Sequence, residues 1–175
     1  IMSSDWSSDV CSSDLGINLR APLEEMSEEA WRAVLDVDVT GAFLVTRAVV
    51  GDMLQRGRGK IINTCSLMSE LGRATIAAYA AAKGALKMLT KSMAVEWGPR
   101  GIQANGIGPG YFLTDLTRPL AEVPEFDGWV KRRAPAGRWG APAELAGPAV
   151  FLASEASSFV NGHILYVDGG LLATV

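Results

Sequence analysis

Residues 60–107 read KIINTCSLMSELGRATIAAYAAAKGALKMLTKSMAVEWGPRGIQANGI, a run that sets the architecture. Residues 60–65 form a short β-branched stretch of the kind expected for a buried strand. From about residue 75 to Trp97 good helix formers dominate, and Gly98-Pro99 supplies the stop. Residues 102–107 are the next apolar strand. Strand, helix and strand in this order imply a parallel pair joined by a crossover. Working outward, Ser27 is a candidate N-cap with Glu28 and Glu29 in the first helical turn. Trp31, Val34, Leu35, Ala42, Val45, Val49 and Met53 then recur at helical spacing up to Gly57-Arg58-Gly59. Toward the other end, residues 111–140 collect prolines, glycines and aromatics as in a lid with short helices. Residues 142–153 suit a helix, and residues 163–167 a last strand closed by Asp168-Gly169-Gly170. The whole is an α/β pattern around a parallel sheet.

With 175 residues the chain has the size of one domain, and no linker interrupts it. The net charge of −3 gives no footprint for nucleic acid. No apolar run approaches the ~18 residues of a membrane span. The two cysteines, Cys11 and Cys65, form no disulfide framework and fit a reducing, cytoplasmic setting. A single histidine, His163, excludes most zinc sites and any Ser-His-Asp triad not built on that residue, and no metal site is expected. His163 itself reads as a surface or interface residue, and Cys65 as a buried inert thiol.

Residues 1–15 differ from the rest. Three Ser-Ser-Asp triplets, at 3–5, 7–9 and 12–14, show neither helical nor strand periodicity, and there is no signal-peptide pattern. Residues 5–15, DWSSDVCSSDL, resemble the conceptual translation of a sequencing-adapter oligonucleotide. The expectation is a non-native or disordered leader at 1–15 and one domain at 16–175.

Tyr79 and Lys83 stand four apart in the second long helix, so phenol and ammonium share a face. A neighbouring cation favours phenolate, which predicts a lowered tyrosine pKa suited to acid–base work. Ser66 lies at the carboxyl edge of the strand before it, thirteen residues ahead of Tyr79. Open parallel sheets bind ligands at that edge. Asp38 falls on the apolar stripe of the first long helix, four residues from Val34 and from Ala42. It is either solvated at the stripe edge or buried and paired with Lys83.

Taken together, Ser66, Tyr79, Lys83, the Asn105-Gly106-Ile107-Gly108-Pro109-Gly110 run and the Asp168-Gly169-Gly170 ending resemble the short-chain dehydrogenases/reductases. The resemblance covers residues 16–175. It implies a Rossmann-type doubly wound parallel sheet, here incomplete, and a nicotinamide cofactor, NAD or NADP. It implies that Tyr79 moves the hydroxyl proton, Lys83 lowers its pKa and holds the nicotinamide ribose, and Ser66 orients the reacting oxygen. Gly16, Pro109, Gly110, the Phe112 backbone and Thr114 would contact the cofactor. Asp38 stands where the family usually has a catalytic asparagine. The family's opening strand and glycine-rich phosphate turn have no counterpart in this sequence, so weak dinucleotide binding and low activity are expected of the chain as given.

Finer runs, CSLMSELGR, GIGPGYFLTD, PEFDGWVKRRAPAGRWG and FVNGHILYVDGG, look like the gluconate 5-dehydrogenase branch. That implies a sugar-acid or polyol substrate and a homo-oligomeric parent enzyme. Lys131, Arg132, Arg133 and Arg138 would attract the anion from the lid, or form a solvated basic face. Trp129 and Trp139 are candidates for the cleft, Trp31 and Trp97 for core or subunit contacts. Two alternatives remain: a reductase of 3-oxoacyl thioesters or other small carbonyls, and a catalytically inactive binding subunit.

Overall fold

The computed structural model describes residues 10–13, 16–115 and 117–174. Four parallel strands, β1 (Val10–Ser13), β2 (Gly59–Thr64), β3 (Ile102–Pro109) and β4 (Ile164–Val167), stand in sequential order in one sheet. Cys11 is opposite Ile61, Ile61 opposite Ala104, and Ile107 opposite Leu165. Strand β1 departs from the sequence expectation, because it lies within the leader expected to carry no strand. Backbone pairing with β2 makes it a strand, and a ladder of main-chain hydrogen bonds needs no side-chain alternation. Residues 1–9, 14 and 15 of that leader lie outside the described residues.

The first crossover runs through α1 (Glu28–Leu35), a π-helical turn (Asp36–Gly41) and α2 (Ala42–Arg56). Ser27 caps α1, its hydroxyl accepting the Ala30 amide at 3.1 Å. The π turn interrupts what the periodicity presents as one helix. The second crossover is α3 (Ala77–Trp97), and the third carries α4 (Arg118–Ala121), α5 (Pro124–Arg133) and α6 (Ala146–Ala153). After α3 the chain turns at Gly101, whose φ is 82° and where any Cβ would collide with the Gly57 carbonyl.

Successive strand residues face opposite ways, and the core divides accordingly. Ile61, Ile102 and Ala104 pack with Val50 and Met53 of α2 and Met93 and Ala94 of α3. Ile62 and Ile107 pack on the other face with Leu152 of α6. With both faces covered, the carboxyl ends of β2 and β3 open onto one edge, where Ser66 and Gly110 follow them.

Strand β3 is fixed to the segment before β4 by Asn105. Its buried side chain donates to the Val160 carbonyl at 2.8 Å and accepts the His163 amide at 3.0 Å. Asn105→Ala strands both backbone groups at about 1–3 kcal/mol each. It should lower the unfolding free energy in urea by about 2–6 kcal/mol; an unchanged midpoint would remove Asn105 from this anchoring role.

Candidate active site

Ser66 lies two residues past β2 and opens a short 3-10 turn. Its hydroxyl accepts the Met68 amide at 3.1 Å. Ser69 accepts the Ser66 amide at 3.3 Å and donates to the Lys83 carbonyl at 2.8 Å, tying this turn to α3. Tyr79 is in the first turn of α3 and Lys83 in the next. The Lys83 ammonium donates to the Thr64 carbonyl at 3.0 Å and lies 3.4 Å from Asp38 Oδ2. Asp38 Oδ1 accepts the Ile17 amide at 2.8 Å. Both side chains are almost wholly buried, at 3% and 0% exposure, so the solvated reading of Asp38 does not hold. The Asp38 Oδ2 contact is an ion pair without hydrogen-bond geometry. Asp38 itself occupies the π turn, a helix irregularity frequent at functional sites.

A cavity of about 600 Å³ opens at this edge, bordered by Ser66, Tyr79, Lys83, Gly16, Pro109, Gly110, Phe112 and Thr114. Of the residues that the family resemblance implies for catalysis and cofactor binding, Asp38 alone is outside the wall, placed behind Lys83.

Electrostatics correct one expectation. Burial pushes the Tyr79 phenol above its ordinary pKa, and the Asp38 carboxylate adds to that rise. Only the hydrogen bond with Ser66 lowers it among the main influences. The Lys83 ammonium is paired with Asp38. It lies 5.5 Å from the Tyr79 ring centroid. Cys65, next to Ser66, is pushed up by burial to about 11, so its thiol is inert at neutral pH, as its sequence context suggests.

The basic lid residues do not converge on this cavity. Lys131 pairs with Asp127 at 2.7 Å, and Arg138 with Glu144 at 2.7 Å. Arg133 donates to the Thr174 carbonyl at 3.0 Å, and with Arg132 it borders a second cavity of about 570 Å³. Trp129 lines that second cavity as well, and Trp139 joins its aromatic cluster. The cations at the main cavity are instead Lys83, Arg20 and Arg73, and Asn18 is there too. Arg20, Arg73 and Asn18 escaped the sequence reading, although Arg73 lies between Ser66 and Tyr79, where a loop must pass the cleft. Near it Thr75 adopts φ 69°, a strained left-handed conformation for a β-branched residue. The Thr75 carbonyl accepts the Ala21 amide at 3.1 Å.

A parallel sheet with a serine, a tyrosine and a lysine at its carboxyl edge defines a Rossmann-type protein of the dehydrogenase kind, and comparison agrees. The family model described as Enoyl-(Acyl carrier protein) reductase, adh_short_C2, matches residues 3–172. The 5-keto-D-gluconate 5-reductase of Escherichia coli is 53% identical over 167 residues, covering 95% of this chain and 66% of that protein. A 2-dehydro-3-deoxy-D-gluconate 5-dehydrogenase of Formosa agariphila is 52% identical over 168 residues, covering 95% and 64%. The crystal structure of a gluconate 5-dehydrogenase from Burkholderia cenocepacia in complex with NADP and tartrate superposes with a TM-score of 0.93. It is 53% identical and covers 95% of this chain and 66% of that one. The chain belongs to the short-chain dehydrogenase/reductase family. It spans about two thirds of the length of the curated relatives it matches.

The opposed influences on Tyr79 are separable by NMR titration of ¹³C-labelled tyrosine. Ser66→Ala removes the lowering hydrogen bond, so the Tyr79 midpoint should move up. Asp38→Asn removes a negative charge that disfavours phenolate, so it should move down. Shifts in the same direction would contradict this account.

Proposed function

We propose that this chain carries the proton-transfer site of an NAD(P)-dependent oxidoreductase that interconverts a secondary alcohol and a ketone. The substrate is a sugar acid of the gluconate/5-keto-gluconate kind. The observation that carries the reading is the meeting of the Ser66 hydroxyl, the Tyr79 phenol and the Lys83 ammonium at one cavity wall. Three of the named relatives act on gluconate derivatives by their names, and one was crystallised with tartrate, itself a hydroxy acid.

The residues present fit the nicotinamide half of the cofactor. Gly16 leaves the Lys83 ammonium accessible from the cavity, since a Cβ there would come within 3.2 Å of it. Gly110 brings backbone close to Asp168, where a Cβ would lie 2.7 Å from Cα. Asn18 holds a buried side-chain oxygen with no partner, suited to accept a hydroxyl. Lys83 and Tyr79 would hold the ribose, and Pro109, Gly110, the Phe112 backbone and Thr114 the carboxamide side. Bound there, the cofactor supplies or accepts the hydride.

Ser66 orients the substrate oxygen beside Tyr79. With its pKa raised, Tyr79 is protonated throughout neutral pH and donates its proton when a ketone is reduced. Alcohol oxidation needs the phenolate, so its rate should climb with pH into the alkaline range while reduction falls there. Lys83 and Asp38 act as a neutral pair behind the phenol, with Lys83 keeping Tyr79 and Thr64 in register.

In this reading the protein is cytoplasmic and homo-oligomeric. The exposed apolar side chains Phe43 on α2 and Met88 and Val95 on α3 support assembly. No helix among the described residues is long and apolar enough to cross a membrane.

The test is NADPH oxidation by the chain with 5-keto-D-gluconate. Millimolar cofactor is used, because only the nicotinamide half has counterparts among the described residues. Tyr79→Phe should lower turnover about 10²–10⁴-fold. Preference for acetoacetyl thioesters would overturn the substrate class. Absence of turnover with every carbonyl would favour a binding subunit.

A further inference from the structure

We propose that Arg73 is the carboxylate anchor of the substrate site, a specificity-determining residue that also links substrate binding to the lid. The inference rests on the sugar-acid reading above and adds to it the group that recognises the acid.

An anionic substrate needs a cation whose charge the protein has not already used. Lys83 is engaged by Asp38 and the Thr64 carbonyl. Lys131 and Arg138 are held by Asp127 and Glu144. Arg20 borders the cavity but is exposed to water, which weakens any ion pair it makes. Arg73 is half-buried, and among the described residues no carboxylate pairs with it. It borders the main cavity together with Tyr79 and Ser66, and it borders the second cavity too.

Its guanidinium is also prepared for the task. One face lies over the Phe126 ring at 4.5 Å, and one nitrogen donates to the Tyr111 hydroxyl at 3.3 Å. A guanidinium has five N–H donors in a planar fork. These two contacts fix its plane and use one donor, leaving an edge that suits two carboxylate oxygens. Phe126 belongs to α5 in the lid, and its ring stacks on Trp129 at 5.5 Å. A carboxylate on Arg73 would therefore be felt through the lid's aromatic cluster.

The experiment titrates the chain with sodium D-gluconate and separately with D-sorbitol, which has the same carbon number and no carboxylate. Binding is followed by tryptophan fluorescence. Wild type should bind gluconate more tightly than sorbitol. Arg73→Gln should weaken gluconate binding roughly 10–100-fold, the loss expected for a charged hydrogen bond, and leave sorbitol unchanged. Arg73→Lys keeps the charge without the fork and should fall between; should Arg73→Gln not fold, it carries the test alone. In turnover the loss should appear in KM with kcat little changed, as for binding equal in ground and transition states. If wild type does not distinguish gluconate from sorbitol, the sugar-acid reading fails. If wild type distinguishes them and both variants do so equally well, that reading stands and the role of Arg73 falls.

Discussion

A positive charge buried at the carboxyl end of a parallel sheet organises this molecule. Removing an ammonium and a carboxylate from water costs several kcal/mol per ion, and only good geometry recovers it. Lys83 recovers it through three separate elements. Its own helix α3 carries it, the end of β2 gives it the Thr64 carbonyl, and the π turn gives it Asp38. Asp38 in turn receives the Ile17 amide, which draws in the segment after Gly16. Loss of either ion would leave the other buried alone, a defect typically worth about 3–5 kcal/mol. The pair is weak evidence for net stability, but it constrains register strongly. Helix α3 cannot slide along β2 without stranding a charge.

That constraint also sets the chemistry. Burial and the Asp38 carboxylate both raise the pKa of Tyr79, so its proton stays on at neutral pH. The hydrogen bond with Ser66 draws the pKa down, and Ser66 is held by the same α3 through Ser69 and the Lys83 carbonyl. Tyr79, Ser66 and Lys83 thus share a single frame built on α3.

Much of this could be read from the residues. The β-branched run at 60–65, the long helix after it and the spacing of Tyr79 and Lys83 carry local information, and the structure keeps them within a residue or two. Ser27 caps its helix as its position suggests. What could not be read depends on groups distant in sequence. Strand β1 exists through a partner ladder that its own side chains do not announce. The π turn reflects where Asp38 must reach, which periodicity does not record. The sign of the Tyr79 shift depends on burial and on Asp38, forty-one residues away. Among the lid cations, the Lys131–Asp127 pair is an i,i+4 spacing that the sequence carries but that the reading of these cations left out. The Arg138–Glu144 pair closes across a turn and could not be inferred that way.

The loop between Ser66 and Tyr79 has to satisfy two demands at once. Its start must present a hydroxyl at a fixed place beside α3, and its end must bring Arg73 to the mouth of the cleft. Thr75 shows the cost, since a β-branched residue at φ 69° stores about 1–3 kcal/mol of backbone strain. The Ala21 amide on the Thr75 carbonyl and the packing of Ile76 in the core hold that conformation in place. Beyond Arg73, Tyr111 meets Phe126, Trp129 and Trp139 edge-on at 5.5, 5.7 and 5.6 Å. Tyr111 directly follows Gly110 in the cavity wall, and Phe126 and Trp129 belong to α5. One aromatic hub therefore touches the Gly110 end of the cavity, the loop before Tyr79 and helix α5. Because these rings are packed against one another, displacing any one of them would require the others to repack.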